Sequence, residues 1–324
     1  MPRTADIGTL VSQARERQPR AVARLISLVE DAAPQLREVM AALMPYSGTA
    51  QIVGITGAPG VGKSTATSCI VTALRARGQR VGVIAIDPTS PFSGGALLGD
   101  RIRMQDHATD SGVYIRSMAS RGHLGGLSWS APQALRVLDA AGCDVIILET
   151  VGVGQSEIEV VGVADTVVVL LAPGMGDGIQ AAKAGILEIG DVFVVNKADR
   201  EGAGTTSREL RHMISLGEQS ADSWRPPVLQ TVASTSTGIT EVVSAIDDHH
   251  SWAQRTGALA KRRQLRARDE VEAIAVADLR SRMGDLGGNA RLDELAYQVA
   301  EGKVDPYTAA DLLVSALGPA AQRV

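Results

Sequence analysis

Residues 57–64 read GAPGVGKS, so glycine, lysine and serine stand at the spacing G-x-x-x-x-G-K-S. Each of these positions has a task if the ligand is a polyphosphate. Gly57, Gly60 and Gly62 let the backbone turn so tightly that successive N–H groups face inward at phosphate oxygens. Ala58, Pro59, Val61 and Thr65 complete the same cradle. Lys63 offers a point charge for the β- and γ-phosphates, and Ser64 a hydroxyl for Mg²⁺. A helix starting here would turn its positive end toward the same anion. A glycine-rich turn matching by accident is the alternative. The context opposes it, because a β-branched run at 52–56 precedes the loop and a helical stretch at 64–77 follows it.

Further along, carboxylates and glycines fall where such a loop would need them. The apolar run at 81–86 ends in Asp87, followed by a segment broken by Pro and Gly that reaches Asp100. Asp87 is placed to reach a metal, and Asp100 to close on it from a loop that responds to a γ-phosphate; the alternative is that both cap turns. The run VIILET ends in Glu149, and Gly152 and Gln155 follow shortly after. Glu149 fits a second metal carboxylate and the Gly152 amide a γ-phosphate sensor. A strand-end acid with no metal is the competing reading. Gln155 is a candidate for orienting water, although no glutamine is obviously placed for it, so slow hydrolysis is expected. Three glycines at 174–178 and then Lys183 on a helix make either a third nucleotide-responsive loop or an ordinary strand-to-helix turn, with Lys183 a candidate for an added phosphate contact.

The run at 191–195 leads into Asn196, Lys197 and Asp199, an N-K-x-D order that fits guanine recognition. The Asp199 carboxylate would accept from guanine N1–H and the 2-amino group, and adenine offers neither donor on that edge. The wrong base would leave the carboxylate desolvated and unpartnered. After a short strand at 228–229, Val232, Ala233 and Ser234 complete the base loop, with the Ala233 amide available to guanine O6.

These residues need a frame that brings strand ends together. From residue 50 onward β-branched runs at 81–86, 113–115, 145–148, 166–171 and 192–195 alternate with helical stretches. They are apolar almost throughout, as for strands covered on both faces. The expected fold is an α/β, doubly wound, mostly parallel P-loop domain over 49–256, whose ligand sits beyond the carboxyl ends of the strands. Residues 1–48 read as two or three helices punctuated by Pro19, Pro34 and Pro45. Residues 257–324 form a helical extension whose last helix starts at Asp305-Pro306. The basic cluster at 261–268 is either a patch for anionic surfaces or a solvated helix face beside Asp269, Glu270 and Glu272. The apolar residues Ile274, Leu279, Leu292, Leu295 and Val299 call for cover from a second copy of the chain.

The 324 residues carry 45% apolar and 21% charged side chains and a formal net charge of −4. That composition is globular and gives no bulk attraction to nucleic acid. Cys69 and Cys143 fit buried thiols rather than a disulfide framework. Residues 1–10 show no apolar core of signal-peptide length, and no run approaches the roughly 18 apolar residues that span a bilayer. A cytoplasmic location, without membrane or nucleic-acid partners, is the expectation. His249 and His250 are adjacent, and a helical surface is expected for both.

Together the segments GAPGVGKST (57–65), AIDPTSPFSGGALLGDR (85–101), ILETVGVGQSE (147–157) and NKAD (196–199) closely resemble the MeaB/ArgK family of methylmalonyl-CoA mutase-associated GTPases, within the SIMIBI class of P-loop proteins. The resemblance covers nearly the whole chain. It implies GTP and GDP as substrate and product, and Mg²⁺ on Ser64, Asp87, Asp100 and Glu149. It also implies a third switch at 174–183, a homodimer through the C-terminal helices, and an adenosylcobalamin-dependent methylmalonyl-CoA mutase as partner. In such a pair the GTPase gates cofactor loading and protects or rescues the mutase. Where the family commonly has a Ser-Ala pair in the base loop, this chain has Val232-Ala233-Ser234. A small-molecule kinase of the arginine/ornithine transport type and a nucleotide-gated scaffold without turnover are the alternatives.

Overall fold

Seven strands, each following a helix or a turn, form one sheet in the computed structural model, which describes residues 6–87, 105–119, 130–150, 160, 162–174, 186–217, 223–283 and 290–316. The strands are β1 (Gln51–Thr56), β2 (Val81–Asp87), β3 (Val113–Ala119), β4 (Val145–Thr150), β5 (Thr166–Leu171), β6 (Val192–Val195) and β7 (Val228–Gln230). Their order is β3-β2-β4-β1-β5-β6-β7, and every pairing is parallel. The chain reverses direction across the sheet on either side of β1, the place where open α/β sheets form their ligand crevice. The residues of β4 and β5 are all buried, as their unbroken apolar sequences require. β3 runs four residues beyond the expected 113–115, because Arg116, Ser117 and Met118 still pair with β2 at the sheet edge.

Helices cover both faces. On one lie α1 (Ile7–Arg15), α2 (Pro19–Glu30), α3 (Leu36–Leu43) and α5 (Ala131–Ala140), whose Leu10, Leu25, Ile26, Val29, Leu135 and Leu138 share a core with Ile84, Ile146 and Leu148. Pro19 opens α2 at its first turn, where a missing N–H costs nothing. The N-terminal helices therefore belong to the same apolar core as the sheet. Asp139 ties the two together: it accepts from Thr49 and Ala50 N–H at 3.3 and 3.0 Å and from Gly48 N–H. On the other face α4 (Lys63–Ala76) and α7 (Ile239–Arg255) pack Ile70, Val71, Leu74, Val242 and Ile246 against Val53, Ile55 and Ile147. The helix that follows β6, α6, spans Ala203–Ser215.

The expectation of a surface position for both histidines of α7 fails at His249, which is 1% exposed. Its Nδ1 lies 2.8 Å from Thr166 Oγ1, its Nε2 lies 3.2 Å from Asp191 Oδ1, and Trp224 meets its ring edge-on. Asp191 also accepts from Val167 N–H at 2.8 Å, so the group pins α7 to the start of β5. Thr166 is itself fully buried, so this Thr-His-Asp row serves packing. Cys143 is buried and Cys69 partly so, and both are free thiols.

Residues 1–260 and 261–324 form two compact units. In the second, α9 (Ala290–Ala300) and α10 (Pro306–Ala316) close on one another around Leu295, Ala309 and Leu313, with Leu292 and Val299 packed against that cluster. Asp305 caps α10, accepting from Tyr307 and Thr308 N–H at 2.9 and 3.1 Å. This hairpin by itself buries Leu295 and partly covers Leu292 and Val299, three of the residues expected to need cover from another chain. The long helix α8 (Ala258–Met283) differs: Val271, Ile274 and Leu279 stay 67%, 45% and 42% exposed. Among the described residues no helix is long and apolar enough to cross a membrane.

Candidate functional site

The glycine-rich loop joins β1 to α4, and two of its glycines have no substitute. Gly57 has φ +137°, and a Cβ there would lie 2.1 Å from the Leu170 carbonyl oxygen on β5. Gly62 has φ +95°, and its Cβ would lie 2.5 Å from Asn196 Nδ2. Both are places where the chain turns left-handed against a close neighbour, which only glycine tolerates. Lys63, 7% exposed, curls over the loop and donates to the carbonyls of Gly57 and Ala58 at 2.6 and 3.0 Å. Its ammonium is therefore held at the loop, with the α4 N-terminus behind it.

Ser64 and Glu149 meet directly. The Ser64 hydroxyl donates to Glu149 Oε1 at 2.7 Å, and both residues are nearly sealed from solvent. Parallel pairing produces this contact: Ile55 and Ala85 flank Glu149 in register, so β4 delivers the carboxylate between the strand that feeds the loop and the strand that ends in Asp87. A hydroxyl beside a carboxylate is an oxygen donor pair, the kind a hard cation such as Mg²⁺ takes, so the residues present fit that ion. Asp87 closes β2 at the same end of the sheet, one residue past the Ile86–Thr150 pair. Asp100, Gly152, Gln155 and Lys183 lie outside the described residues.

Asn196 joins the phosphate side to the base side. It follows β6 directly and is 2% exposed. Its Nδ2 donates to the Val61 carbonyl in the glycine-rich loop at 2.8 Å, while its Oδ1 accepts from Thr231 Oγ1 and Ala233 N–H at 3.1 Å each. Lys197 turns left-handed at φ +56° and lays its ammonium on the Gly60 carbonyl at 2.6 Å. Asp199 is exposed beside them, and Ser234 likewise on the neighbouring loop. The structure thus brings together residues 57–65, Glu149, Asn196, Lys197, Asp199 and residues 232–234. One detail differs from expectation: the Ala233 amide, proposed for guanine O6, donates to Asn196. Ser234 supplies the next amide along. Two supporting residues were not singled out from sequence. Thr231, which bonds Asn196, is signalled as a short polar residue directly after the strand run at 228–229. Cys69, whose thiol donates to the Ala233 carbonyl at 3.1 Å, carried no such signal.

The far end of α4 is fixed as firmly. Arg75 forks onto Asp110 at 2.8 and 3.0 Å. That guanidinium, with the Gly112 N–H, holds the Asp110 carboxyl below the usual carboxylate range. Two turns nearer the site, His107 Nε2 lies 3.0 Å from Ser68 Oγ.

With this geometry in view, the comparisons are consistent. Residues 22–286 match the family model described as "Methylmalonyl Co-A mutase-associated GTPase MeaB". The chain is 47% identical over 310 residues to a putative GTPase of Pyrococcus abyssi, covering 95% of this chain and 96% of that one. It is 37% identical over 284 residues to GTPase ArgK of Escherichia coli, covering 83% and 86%. Among solved structures, one described as an LAO/AO transport system kinase superposes with a TM-score of 0.73 at 28% identity, covering 97% of this chain and 98% of that one.

Proposed function

The chain belongs to the MeaB family of methylmalonyl-CoA mutase-associated GTPases, and from that premise we propose that it is a slow, Mg²⁺-dependent GTP switch that serves as chaperone to an adenosylcobalamin-dependent methylmalonyl-CoA mutase. The single observation that carries the nucleotide part is the two-sided amide of Asn196. It joins the phosphate loop at Val61 to the base loop at Ala233, from the same strand-end segment that carries Asp199. In this reading Asp199 accepts from guanine N1–H and the 2-amino group, Lys197 lies along the base, and an amide of residues 232–234 meets O6, with Ser234 the donor left on offer.

Hydrolysis breaks the bond between the γ-phosphorus and the β–γ bridging oxygen, which leaves with the electron pair as GDP, while a water oxygen bonds to phosphorus and gives up its proton. Magnesium held by Ser64, Asp87, Asp100 and Glu149 would offset the charge on the β- and γ-phosphates. Lys63 and the inward amides of residues 57–65 grip the same oxygens, and the Gly152 amide registers whether a γ-phosphate is there. In this reading Gln155 is the candidate for orienting the water, and Lys183 or Gln155 the candidate for a contact added when a partner docks. On the same reading segments 87–101, 150–157 and 172–183 would border the γ-phosphate, so a protein docked on them would read the nucleotide, its binding coupled to nucleotide binding in both directions. A homodimer through α8, covering Val271, Ile274 and Leu279, completes the proposal; its interface should exceed the ~1,000 Å² of a stable biological contact.

The test is a GTP hydrolysis assay into which a methylmalonyl-CoA mutase is titrated, with Lys183→Ala alongside. Binding with a faster turnover is expected. No binding and no change in rate would remove the chaperone assignment, and stimulation surviving Lys183→Ala would remove only that lysine's role. A kinase reading is favoured by one observation, the description of the superposed structure. Mass spectrometry of arginine and ornithine incubated with the chain and nucleoside triphosphate separates the two: a phosphorylated amino acid would establish transfer, and release of phosphate alone would establish hydrolysis.

A further inference from the structure

At the end of the sheet away from the phosphate loop, where β2 and β3 begin, a cleft of about 320 Å³ opens between the N-terminal helices, residues 108–114 and the end of α5. Arg17 and Arg80 line it together with Val22, Leu138 and Cys143. Arg80 is held in place by one nitrogen, Nη1, which donates to the carbonyls of Ala141 and Gly142 at 2.8 and 2.7 Å. Among the described residues neither Arg17 nor Arg80 forms a salt bridge through its guanidinium. Two acids lie near them. Asp110 on the cleft wall is forked by Arg75, and Asp144 accepts from the Arg80 backbone N–H at 2.7 Å. The Cys143 thiol is pushed up to about 12 by burial and adds no negative charge.

Two further features mark these arginines. Burial, more than the nearby Arg17 and Arg75 and against the opposing pull of Asp144, draws Arg80 below the usual guanidinium range. Arg17 itself stands at φ +69° just past the end of α1, a left-handed position that glycine normally fills after a helix. The chain thus places a guanidinium where a glycine would be easier, opposite a second guanidinium that has a desolvated stem.

We propose that this cleft binds a small organic anion, a carboxylate or a phosphate monoester, with its charged end between Arg17 and Arg80 and its apolar end against the half-buried Val113 and Tyr114. Planar guanidiniums recognise both head groups through paired hydrogen bonds, and the cleft has the size of a small ligand pocket. The site is independent of the nucleotide reading, since it uses none of the residues at the carboxyl ends of the strands.

Benzoate and phenyl phosphate are the probes, with benzyl alcohol as the uncharged control, titrated calorimetrically into the full chain and into Arg17→Gly, Arg80→Met and Lys63→Ala variants. At least one anion should bind at one site per chain, and more tightly than benzyl alcohol; whichever binds better names the head group. Arg17→Gly should weaken that binding roughly tenfold to a hundredfold, the worth of one charge-assisted pair. Its melting temperature should not fall, because glycine adopts the left-handed backbone freely. Arg80→Met should weaken binding as well, and Lys63→Ala should leave it intact. Failure of both anions to bind, equal affinity for Arg17→Gly, or a signal abolished by Lys63→Ala would each overturn the assignment.

Discussion

Asp199 is exposed where Asn196 has already joined two loops, so its carboxylate is free to turn to a base while its neighbours stay fixed. Replacing it with Asn exchanges an acceptor for a donor at one oxygen. Asp199→Asn should therefore bind xanthosine diphosphate in preference to GDP, the reverse of the native order, and competition titrations with the two nucleotides check this. Glu149→Ala removes the carboxylate that accepts from Ser64. It should lower Mg²⁺-dependent turnover by on the order of 10²-fold while changing GDP affinity much less, whereas Lys63→Ala should reduce both. Unchanged turnover in Glu149→Ala, measured by phosphate release, would make that acid a structural residue. Most of the positions the structure brings together are legible in the sequence because phosphate and guanine chemistry would fix both residue type and spacing. The exceptions have a physical reason. His249 reads as surface because histidine is polar and stands next to His250; only the assembled sheet supplies Thr166 and Asp191 to satisfy it. The Ala233 amide reads as a base contact because no spacing rule says that Asn196, thirty-seven positions earlier, will take it.

At the scale of elements, the strands were readable where both faces are covered, since an unbroken run such as TVVVLL has no other soluble arrangement. β3 was read too short because an edge strand with Arg116 and Ser117 loses that signature while keeping its hydrogen bonds. What holds the phosphate loop between β1 and α4 can be tested in two places. Gly57→Ala meets the Leu170 carbonyl at 2.1 Å in a left-handed backbone, so it should destabilise the chain by about 2 kcal/mol or more and distort the loop, as thermal melting and nucleotide binding together would show. The Arg75–Asp110 fork at the other end of α4 carries a pH signature. Because the folded Asp110 titrates below its ordinary value, its contribution is complete above the usual carboxylate range and is lost as pH falls through the depressed one. Asp110→Asn should therefore lower the melting temperature at neutral pH, and the gap from the native chain should close as pH falls through the depressed carboxylate range of Asp110. The pair is partly exposed, so the gap should be small and should shrink in high salt.

At the scale of the whole molecule, the expected helical extension splits into two kinds of surface. The hairpin of α9 and α10 covers its own Leu295, but α8 leaves Val271, Ile274 and Leu279 open over a long helix. Sequence periodicity marks all of these as apolar and cannot say which of them a neighbouring helix will cover, because that depends on how the turn at 301–305 folds the last helix back. A homodimer through α8 should sediment as a dimer at micromolar concentration, and Ile274→Asp with Leu279→Asp should convert it to a monomer whose melting temperature in the first unit is unchanged. A native chain that sediments as a monomer would contradict the dimer.

The account rests most heavily on guanine recognition, since a switch that reads GTP must first reject the adenine nucleotides. Parallel calorimetric titrations of GDP and ADP into the full chain with Mg²⁺ measure this directly. Asp199 should give GDP the advantage by a factor on the order of 10⁴, the discrimination reached when a site built to accept hydrogen bonds meets a ligand lacking the donors. Comparable affinities for GDP and ADP would contradict the account and return the chain to the kinase reading.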